Sequence, residues 1–383
     1  MIYILIILTL LFFAFYFDFG EAKIGKEFIF YLVLLGLICL SGFRYRVGGD
    51  TLLYMLRHEG MPTLGELRSL RQAAGKLQPF WTLVVAVSKS ITPDFYMVQF
   101  LHAIIVNTLI FHFIKAHTKY VFTAIFLYFI GYYGYFNFEI LRESLAISVF
   151  LFSIKFLLNK KWIHYYLLAL TAFLFHVSAI ILFFIPLLIK IKYRFWVALV
   201  IFCVGVVFSG VFGSFVGKVN LAGSFFTSMK VYVDYNSTIF GLLSLLIFKF
   251  LYPASIYKLS SSHLKIKSDL FSLMSTYIYI GASTALFYIF YRFLNYLTPV
   301  LFIFLTEVIH EFSKKIELRA NKLALIFLLL FSISIIHMNS YFTSTSKYVT
   351  NSRWYSYWYP YHTIFDKKVD LTRERLIKSQ NEF

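Results

Sequence analysis

Apolar residues in this 383-residue chain form long unbroken blocks separated by short polar segments, unlike the one-sided stripes of helices on a soluble core. A lone segment inside a bilayer must satisfy its own backbone hydrogen bonds, so each block is predicted to be helical. The blocks cover 2–19, 27–43, 94–115, 119–135, 139–158, 162–190, 195–217, 238–257, 269–290, 294–312 and 321–343.

Two segments do not have the length of a simple membrane span. Segment 79–91 is about 20 Å long as a helix, against a hydrocarbon core of about 30 Å, which predicts a re-entrant or interfacial helix. Block 162–190 is flanked by lysines at both ends, and the positive-inside rule then predicts a hairpin with His176 on the outer side. The result is an all-α, polytopic membrane protein with about 12 spans (range 10–13) and both termini outside.

Basic residues support this topology. The short loops predicted to be cytoplasmic carry Lys23, Lys26, Lys115, Lys119, Lys160, Lys161, Lys190, Lys192, Arg194, Lys258, Lys265, Lys267, Lys314, Lys315, Arg319 and Lys322. The short outer loops carry chiefly Arg142, Lys218, Lys230 and Arg292. Two segments predicted to be outside, 44–78 and 344–383, are exceptions because they are rich in basic residues. The predicted organisation is a single transmembrane domain, 1–343, with 44–78 as a long outer loop, followed by an aromatic and basic tail, 344–383.

Composition agrees with this class. Hydrophobic residues make up 60% of the chain and charged residues 14%, which excludes a water-soluble fold. The formal net charge of +18 is expected to hold loops against anionic lipid, and nucleic acid is not an expected partner. Cys39 and Cys203 lie in apolar runs, so neither a disulfide framework nor a zinc site is predicted. The apolar start lacks a basic n-region and is interpreted as a retained span.

The most informative polar stretch follows the second block and reads S-G-F-R-Y-R-V-G-G-D-T-L-L-Y, residues 41–54. Arg44 and Arg46, followed by paired glycines and Asp50, predict a turn whose backbone N–H groups and guanidinium groups could hold a diphosphate. The alternative is an arginine-rich helix end that reaches lipid headgroups, followed by an ordinary turn.

A second stretch, N-F-E-I-L-R-E-S-L-A at 137–146, begins a predicted span. Glu139 lies three residues before Arg142 and four before Glu143, which on one helix face allows a Glu139–Arg142 ion pair. The alternative is that Arg142 faces a cavity, as ionisable groups at membrane depth usually do.

Three further positions could carry chemistry. His176, in F-L-F-H-V-S-A, could accept a hydroxyl proton, or it could be a hydrogen-bonded core histidine. Arg292, in Y-I-F-Y-R-F-L-N-Y ending at Tyr296, lies at an outer boundary, where a snorkelling role is the alternative. The tail run R-W-Y-S-Y-W-Y-P-Y-H, 353–362, suits an interfacial aromatic belt or, alternatively, a stacking surface for sugars.

Common catalytic motifs are absent from the sequence. It has no G-x-x-x-x-G-K-[ST], H-E-x-x-H, C-x-x-C or G-x-S-x-G motif, and no acidic cluster that suggests a divalent metal. No cofactor is therefore expected.

Four motifs taken together resemble the EpsG-like, Wzy-type family of bacterial polysaccharide polymerases. They are R-Y-R-V-G-G-D-x-x-x-Y at 44–54, N-x-x-x-x-R-E-x-x-A at 137–146, F-H-V-S-A at 175–179 and the later Arg292, in this order on most of the chain. Gln78-Pro79-Phe80, which begins the short segment, adds to the resemblance. Glu143 is a departure, because the family more often has glutamine after the arginine.

The resemblance implies a GT-C-like enzyme of the bacterial inner membrane that joins oligosaccharide repeat units carried on undecaprenyl diphosphate. The expected catalytic residues are His176, Asp50 and Arg142. The expected substrate contacts are Arg44, Arg46, Tyr54, Glu139, Glu143, Arg292 and Tyr296. Membrane lipid is an expected partner and a chain-length regulator an additional one. A ligase that transfers finished glycan from the same carrier remains an alternative, as does a flippase of lipid-linked sugars, although the sequence has no internal repeat of the kind many transporters show.

Overall fold

The structure is a computed structural model that describes residues 2–66, 69, 78–216, 239–264, 266, 268–286, 290–316, 326, 330 and 353–381. In these ranges the chain is all-helical, with no β-strand and a single isolated bridge between Arg44 and Thr363. The α-helices are α1 Ile2–Phe13, α2 Lys26–Gly42, α3 Thr51–Glu59, α4 Pro79–Ile91, α5 Tyr96–His117, α6 Val121–Tyr128, α7 Leu141–Leu158, α8 Trp162–Phe175, α9 Ile185–Leu188, α10 Phe195–Val216, α11 Ile239–Leu245, α12 Tyr252–Lys258, α13 Phe271–Ser283, α14 Phe290–Lys314 and α15 Leu371–Asn381.

Several helices continue through wider π-helical turns or into tighter 3₁₀ turns. The π-helical turns cover Ala14–Phe19, Phe129–Tyr133, Tyr135–Glu139, Leu246–Leu251 and Leu259–His263, and the 3₁₀ turns cover Val177–Phe183 and Trp354–Tyr357.

The helices follow the apolar blocks closely. Within the described ranges, four helical stretches are long and apolar enough to cross a membrane: Ile2–Phe19, Tyr96–His117, Gly241–His263 and Phe290–Lys314. Helix α4 covers the predicted short segment 79–91. The predicted block 321–343 lies outside the described residues, apart from positions 326 and 330, and so do Lys218 and Lys230.

The predicted break in block 162–190 is confirmed. Helix α8 ends at Phe175, and His176 takes an extended conformation with φ −154° and ψ 134°. A 3₁₀ turn at Val177–Phe183 and the four-residue α9 follow it. The helix therefore ends at the titratable residue that the sequence singled out.

The described residues belong to two compact units, one of 1–179 with 313–383 and one of 180–312. In the first unit α2 and α5 pack antiparallel. Glu27 pairs with Lys115 at one end (2.6 Å), and Gly42 lies against Phe100 at the other.

Lysines predicted to be cytoplasmic gather at one end of the first unit. The buried Asp18 accepts from Lys26 Nζ (3.0 Å) and from the backbone N–H of Thr123 (2.8 Å). Lys26 also donates to the carbonyl of Lys119 (3.0 Å). This ion pair ties α1, α2 and α6 together, because a buried carboxylate is stable only when it is paired and hydrogen-bonded.

The opposite end of the first unit holds both chain ends. Tyr3, at the start of α1, donates to the carbonyl of Trp358 (3.1 Å), and its ring contacts that of Tyr361 (6.0 Å). The start of α1 and the segment 353–381 therefore lie together at this end of the first unit.

The second unit is built around α10, α13 and the helical stretch 239–263. Its core contains Ala198, Phe202, Phe250, Ile278 and Ala282. Gly281 meets the carbonyl of Lys249 so closely that a Cβ would lie 2.0 Å from that oxygen, so only glycine allows this approach.

Candidate functional site

The turn at 43–50 is paired along its length with the C-terminal segment 353–381. The N–H of Tyr45 donates to the carbonyl of His362 (2.8 Å), and the N–H of Gly48 donates to that of Tyr357 (2.9 Å). Ile364 N–H donates back to the carbonyl of Phe43 (2.9 Å). The tail therefore completes the turn in which the first candidate residues lie.

A buried arginine on α15 fixes this pairing. Arg373 is 1% exposed and donates to the carbonyls of Ser356 (3.2 Å), Arg46 (3.1 Å) and Pro360. Next to it, Glu374 accepts from Nε of Arg46, whose φ of 54° is left-handed. The Arg46 guanidinium is thus engaged with a carboxylate of the chain itself.

Arg44 is fully buried. Its Nε donates to the carbonyl of Val47 (3.1 Å) and its Nη1 to that of Ser41, while the guanidinium lies 5.0 Å from the centre of the Phe138 ring. Burial lowers the pKa of Arg44 to about 10, so the side chain stays charged at neutral pH. The Arg44 side chain therefore connects the backbone on the two sides of the turn, at Ser41 and at Val47.

A carboxylate of the protein occupies the backbone N–H groups of the turn. Glu139 Oε1 accepts from the N–H of Gly49 (2.9 Å) and from Trp358 Nε1 (2.6 Å), and its Oε2 accepts from the N–H of Asp50 (3.1 Å). Gly48 has φ 118°, which an L side chain rarely adopts. The backbone N–H groups of Gly49 and Asp50, which the sequence suggested for a diphosphate, thus donate to the side chain of Glu139 in this structure.

The hypothesis of a Glu139–Arg142 ion pair is wrong. It assumed one continuous helix, but the chain breaks at Ile140, with φ −94° and ψ 53°, and α7 begins only at Leu141. Glu139 therefore turns back to the glycine turn, and Arg142 has different partners.

Arg142 lies half-buried at the start of α7, between two other segments. Its Nη1 donates to Oε1 of Gln78 (2.8 Å), and its guanidinium lies 6.0 Å from the ring of Tyr54, which packs on Trp81 (5.5 Å). Its buried Nε has no partner among the described residues. Burial raises the pKa of Tyr54, and the charge of Arg142 opposes this rise.

His176 lies near the same Gln78-Pro79-Phe80 corner. The ring of Phe80 packs edge-on against Phe175, the residue before His176 (5.5 Å). His176 Nδ1 lies 2.6 Å from Ser178 Oγ and accepts from the Ser178 N–H (3.2 Å). The corner therefore links the segment that holds Arg142 to the helix end that holds His176.

Polar side chains on α5 contact the backbone of Arg44 and the start of α7. Gln99 donates to the carbonyl of Arg44 (3.0 Å), and Nε2 of the buried His102 contacts the carbonyl of Leu141 (3.1 Å) and Ser144 Oγ (2.8 Å). These contacts fix Arg44 and the first turn of α7 relative to one helix. Neither Gln99 nor His102 was predicted from the sequence, because inside an apolar block each resembles an isolated polar residue of the core.

The remaining candidates are placed as follows. Glu143 is 1% exposed on α7, Asp50 is exposed, and Arg292 and the buried Tyr296 lie on α14 in the second unit. The first unit thus brings together Arg44, Arg46, Asp50, Tyr54, Glu139, Arg142, Glu143 and His176 at the end where its termini meet.

The aromatic run of the tail is divided between two environments. Trp358 packs against Gly134, where a Cβ would lie 2.9 Å from its ring, and Tyr361 donates to the carbonyl of Leu40 (2.7 Å). Among the aromatic side chains of the run that the structure describes, Tyr355 and Tyr359 are the exposed ones, and they are available for a belt or for sugars.

Comparison with known proteins gives one family. A profile of the EpsG family matches residues 27–363, which include each motif described above. Searches of curated proteins and of solved structures give no match.

Proposed function

This chain belongs to the EpsG family, and from this membership we propose that it is a glycosyltransferase that polymerises oligosaccharide repeat units. The units would be carried on undecaprenyl diphosphate at the outer face of the bacterial inner membrane. The growing chain would pass from its carrier to a sugar hydroxyl of the next unit. The observation that carries the proposal is the convergence of the turn 43–50, the Gln78 corner, the start of α7 and His176 at one end of the first unit.

The proposed reaction breaks one bond and forms another. The bond from the anomeric carbon to the carrier diphosphate breaks, and the electron pair leaves with the diphosphate. The acceptor hydroxyl oxygen forms the new bond to that carbon and releases its proton to a base. Because negative charge develops on a lipid diphosphate, a positioned guanidinium can assist the departure.

Arg142 is the best candidate for that guanidinium. Arg44 and Arg46 are engaged with carbonyls and with Glu374, whereas Arg142 is half-buried beside Tyr54 and is oriented by one amide, that of Gln78. Arg44 is fully buried, whereas a guanidinium that is only half-buried and has a neutral partner keeps its charge available for a second anion. We assign Arg44, Arg46 and Glu139 to positioning the turn.

Asp50 and His176 are the candidates for the proton acceptor. Asp50 is exposed and its backbone is fixed by Glu139, so its side chain can orient a hydroxyl. His176 could accept a proton at Nε2 if Nδ1 donates to Ser178 Oγ at 2.6 Å. Arg292 and Tyr296 on α14 would supply further contacts to the lipid-linked unit.

The finer architecture belongs to the same proposal. About 12 spans in a GT-C-like arrangement, multi-pass insertion in the inner membrane and a chain-length regulator as partner fit a family that handles lipid-linked glycans. Lysines at one end of the first unit and the candidate site at the other agree with a site on the outer side.

The two alternatives differ in where the site can be reached. A ligase would use the same arginine and histidine, with a different acceptor. A flippase needs contacts for the diphosphate that are accessible from both sides, whereas here Arg142, Asp50 and His176 all belong to one end of the first unit. That one-sidedness favours an enzyme over a flippase.

Complementation in cells tests the proposal. The gene is deleted, and surface and lipid-linked glycans are resolved as a gel ladder with wild type, Arg142→Ala and His176→Ala. A polymerase predicts a single-unit band in the deletion, a ladder with wild type and none with either variant at equal membrane abundance. Full-length chains that accumulate on the carrier would identify a ligase, and units retained inside the cell would identify a flippase.

A further inference from the structure

A small cavity lies between α3, α4 and the start of α5, next to the candidate site. Its walls are mostly aromatic and aliphatic side chains, all of them buried, namely Tyr54, Met61, Trp81, Val85 and Phe95. The cavity has room for about one water molecule, so it can take one small group of a ligand but not a whole sugar ring.

One polar atom of the cavity wall has no partner. His58 lines the cavity and is 4% exposed, and its buried Nε2 has no hydrogen-bond partner among the described residues. A buried polar atom without a partner is unfavourable, and such atoms are commonly satisfied by water or by a ligand. His58 Nε2 is therefore the atom to which an occupant of the cavity would bind.

The imidazole of His58 is held in place by its surroundings. Its ring packs edge-on against that of Phe95 (5.6 Å). Lys89 Nζ donates to three backbone carbonyls at the end of α3, those of His58 (3.2 Å), Glu59 (2.9 Å) and Met61 (2.6 Å). These contacts fix the end of α3 on α4. A group that is already fixed loses little conformational entropy when it binds a ligand.

The charge state of His58 favours an uncharged occupant. Burial, and next the charge of Lys89, lower the pKa of His58, whereas Glu59 and Asp94 act in the opposite direction. The imidazole is therefore neutral at neutral pH, and each of its ring nitrogens is then either a donor or an acceptor. A hydroxyl group suits both tautomers because it donates and accepts, whereas a carbonyl or a carboxylate only accepts and a methyl group does neither.

The cavity is next to the guanidinium that we propose as the diphosphate clamp. Tyr54 forms part of the cavity wall, and its ring lies 6.0 Å from the guanidinium of Arg142. His58 follows Tyr54 by one turn on the same face of α3, which is a rise of about 6 Å. A sugar joined to a diphosphate at Arg142 can therefore place one of its hydroxyl groups at His58.

We propose that this cavity binds one hydroxyl group of the sugar that is joined to the carrier diphosphate, with His58 Nε2 as its hydrogen-bond partner. The cavity walls exclude a larger or a charged substituent at that position of the sugar, so the cavity contributes to the choice of repeat unit. This role rests on the proposed function, and it makes His58 a specificity-determining residue.

Binding of two lipid probes to the full-length chain in nanodiscs tests the role of His58. One probe is the lipid-linked repeat unit extracted from cells that lack the gene, and the other is undecaprenyl diphosphate, which carries no sugar. In His58→Phe we expect the Kd of the repeat unit to rise about tenfold, as for the loss of one hydrogen bond, and that of undecaprenyl diphosphate to stay unchanged. His58→Gln, which keeps a donor and an acceptor, should lose less.

A variant that fills the cavity should give the same contrast without changing His58. Val85→Phe should weaken binding of the repeat unit and leave binding of undecaprenyl diphosphate unchanged. Leu56→Phe, at an exposed position of α3, is the matched control and should bind both probes like wild type. If Val85→Phe does not reach wild-type abundance in the membrane, Val85→Leu replaces it.

The ring nitrogen of His58 can also be observed directly. In protein labelled with ¹⁵N-histidine, the Nε2 signal of His58 is identified by its loss in His58→Gln. We expect this signal to shift when the repeat unit is added and not when undecaprenyl diphosphate is added.

Equal weakening of both probes in His58→Phe would overturn the proposal, and so would no change for either probe, because the cavity would then hold water alone. Arg142→Ala separates these outcomes from a failure of the proposed function. If Arg142→Ala leaves binding of undecaprenyl diphosphate unchanged, the diphosphate site is wrong and the role of His58 falls with it. If Arg142→Ala weakens both probes and His58→Phe does not discriminate between them, only the assignment of His58 is wrong.

Discussion

Arg373 Nη1 donates a hydrogen bond of 3.1 Å to the carbonyl of Arg46, although 327 positions separate the two residues along the chain. The C-terminal helix is thereby part of the turn that follows α2. The tail is a structural component of the candidate site.

Loss of Arg373 should therefore impair the site from a distance. Arg373→Ala leaves three carbonyls without their donor. We expect the free energy of unfolding to fall by about 3 kcal/mol and long glycan chains to be lost. Arg373→Lys cannot reproduce the three-way contact and should recover little. The measurements are thermal stability in detergent and the glycan ladder. Arg375→Ala, two residues on and exposed, is the control, and an equal effect there would refute the argument.

Glu139 should be replaceable by no other side chain. Glu139→Gln keeps the shape, but its NH₂ group would face N–H donors, so we expect a loss of about 1.5 to 3 kcal/mol in stability and a strong loss of chain length. Trp358→Phe removes only one of the donors and should cost less. The check is to compare the two variants by melting temperature and by the glycan ladder. Glu139→Gln should show the larger loss in both measurements. The reverse order would contradict the central place of Glu139.

The sequence predicted the helices well because apolar blocks of span length have few alternatives in a bilayer. It also identified the break at His176, since the flanking lysines required it. It could not predict that Glu139 accepts a hydrogen bond from the N–H of Gly49, because nothing in the residues around Ile140 indicates that the helix breaks there. Nor could it find Arg373, because an arginine in a charged tail carries no local signal of its contact with Arg46.

Arg142 should behave as a clamp and Gln78 as its positioning residue. Arg142→Ala should lower turnover about 10²-fold to 10³-fold, the size seen when one group that stabilises developing charge is removed, and Arg142→Lys should recover little. Gln78→Ala leaves the guanidinium in place without its 2.8 Å partner, so a smaller loss is expected. Turnover of a lipid-linked repeat unit by purified protein in nanodiscs separates the two. If Gln78→Ala were as damaging as Arg142→Ala, Gln78 itself would contact substrate.

Ser178 gives a test of how His176 works, because the two candidate roles need opposite protonation of Nδ1. A base that accepts at Nε2 needs Nδ1–H, and Ser178 Oγ, at 2.6 Å, is placed to accept that proton. The Ser178 N–H, at 3.2 Å from Nδ1, favours the other tautomer. Ser178→Ala removes the Oγ and leaves the N–H, so a base role predicts a loss of about tenfold in turnover and a shift of the pH profile, with Ser178→Thr retaining both. A donor role for Nε2–H predicts the opposite response: Ser178→Ala would leave turnover and its pH profile near wild type, while His176→Ala would still abolish the ladder.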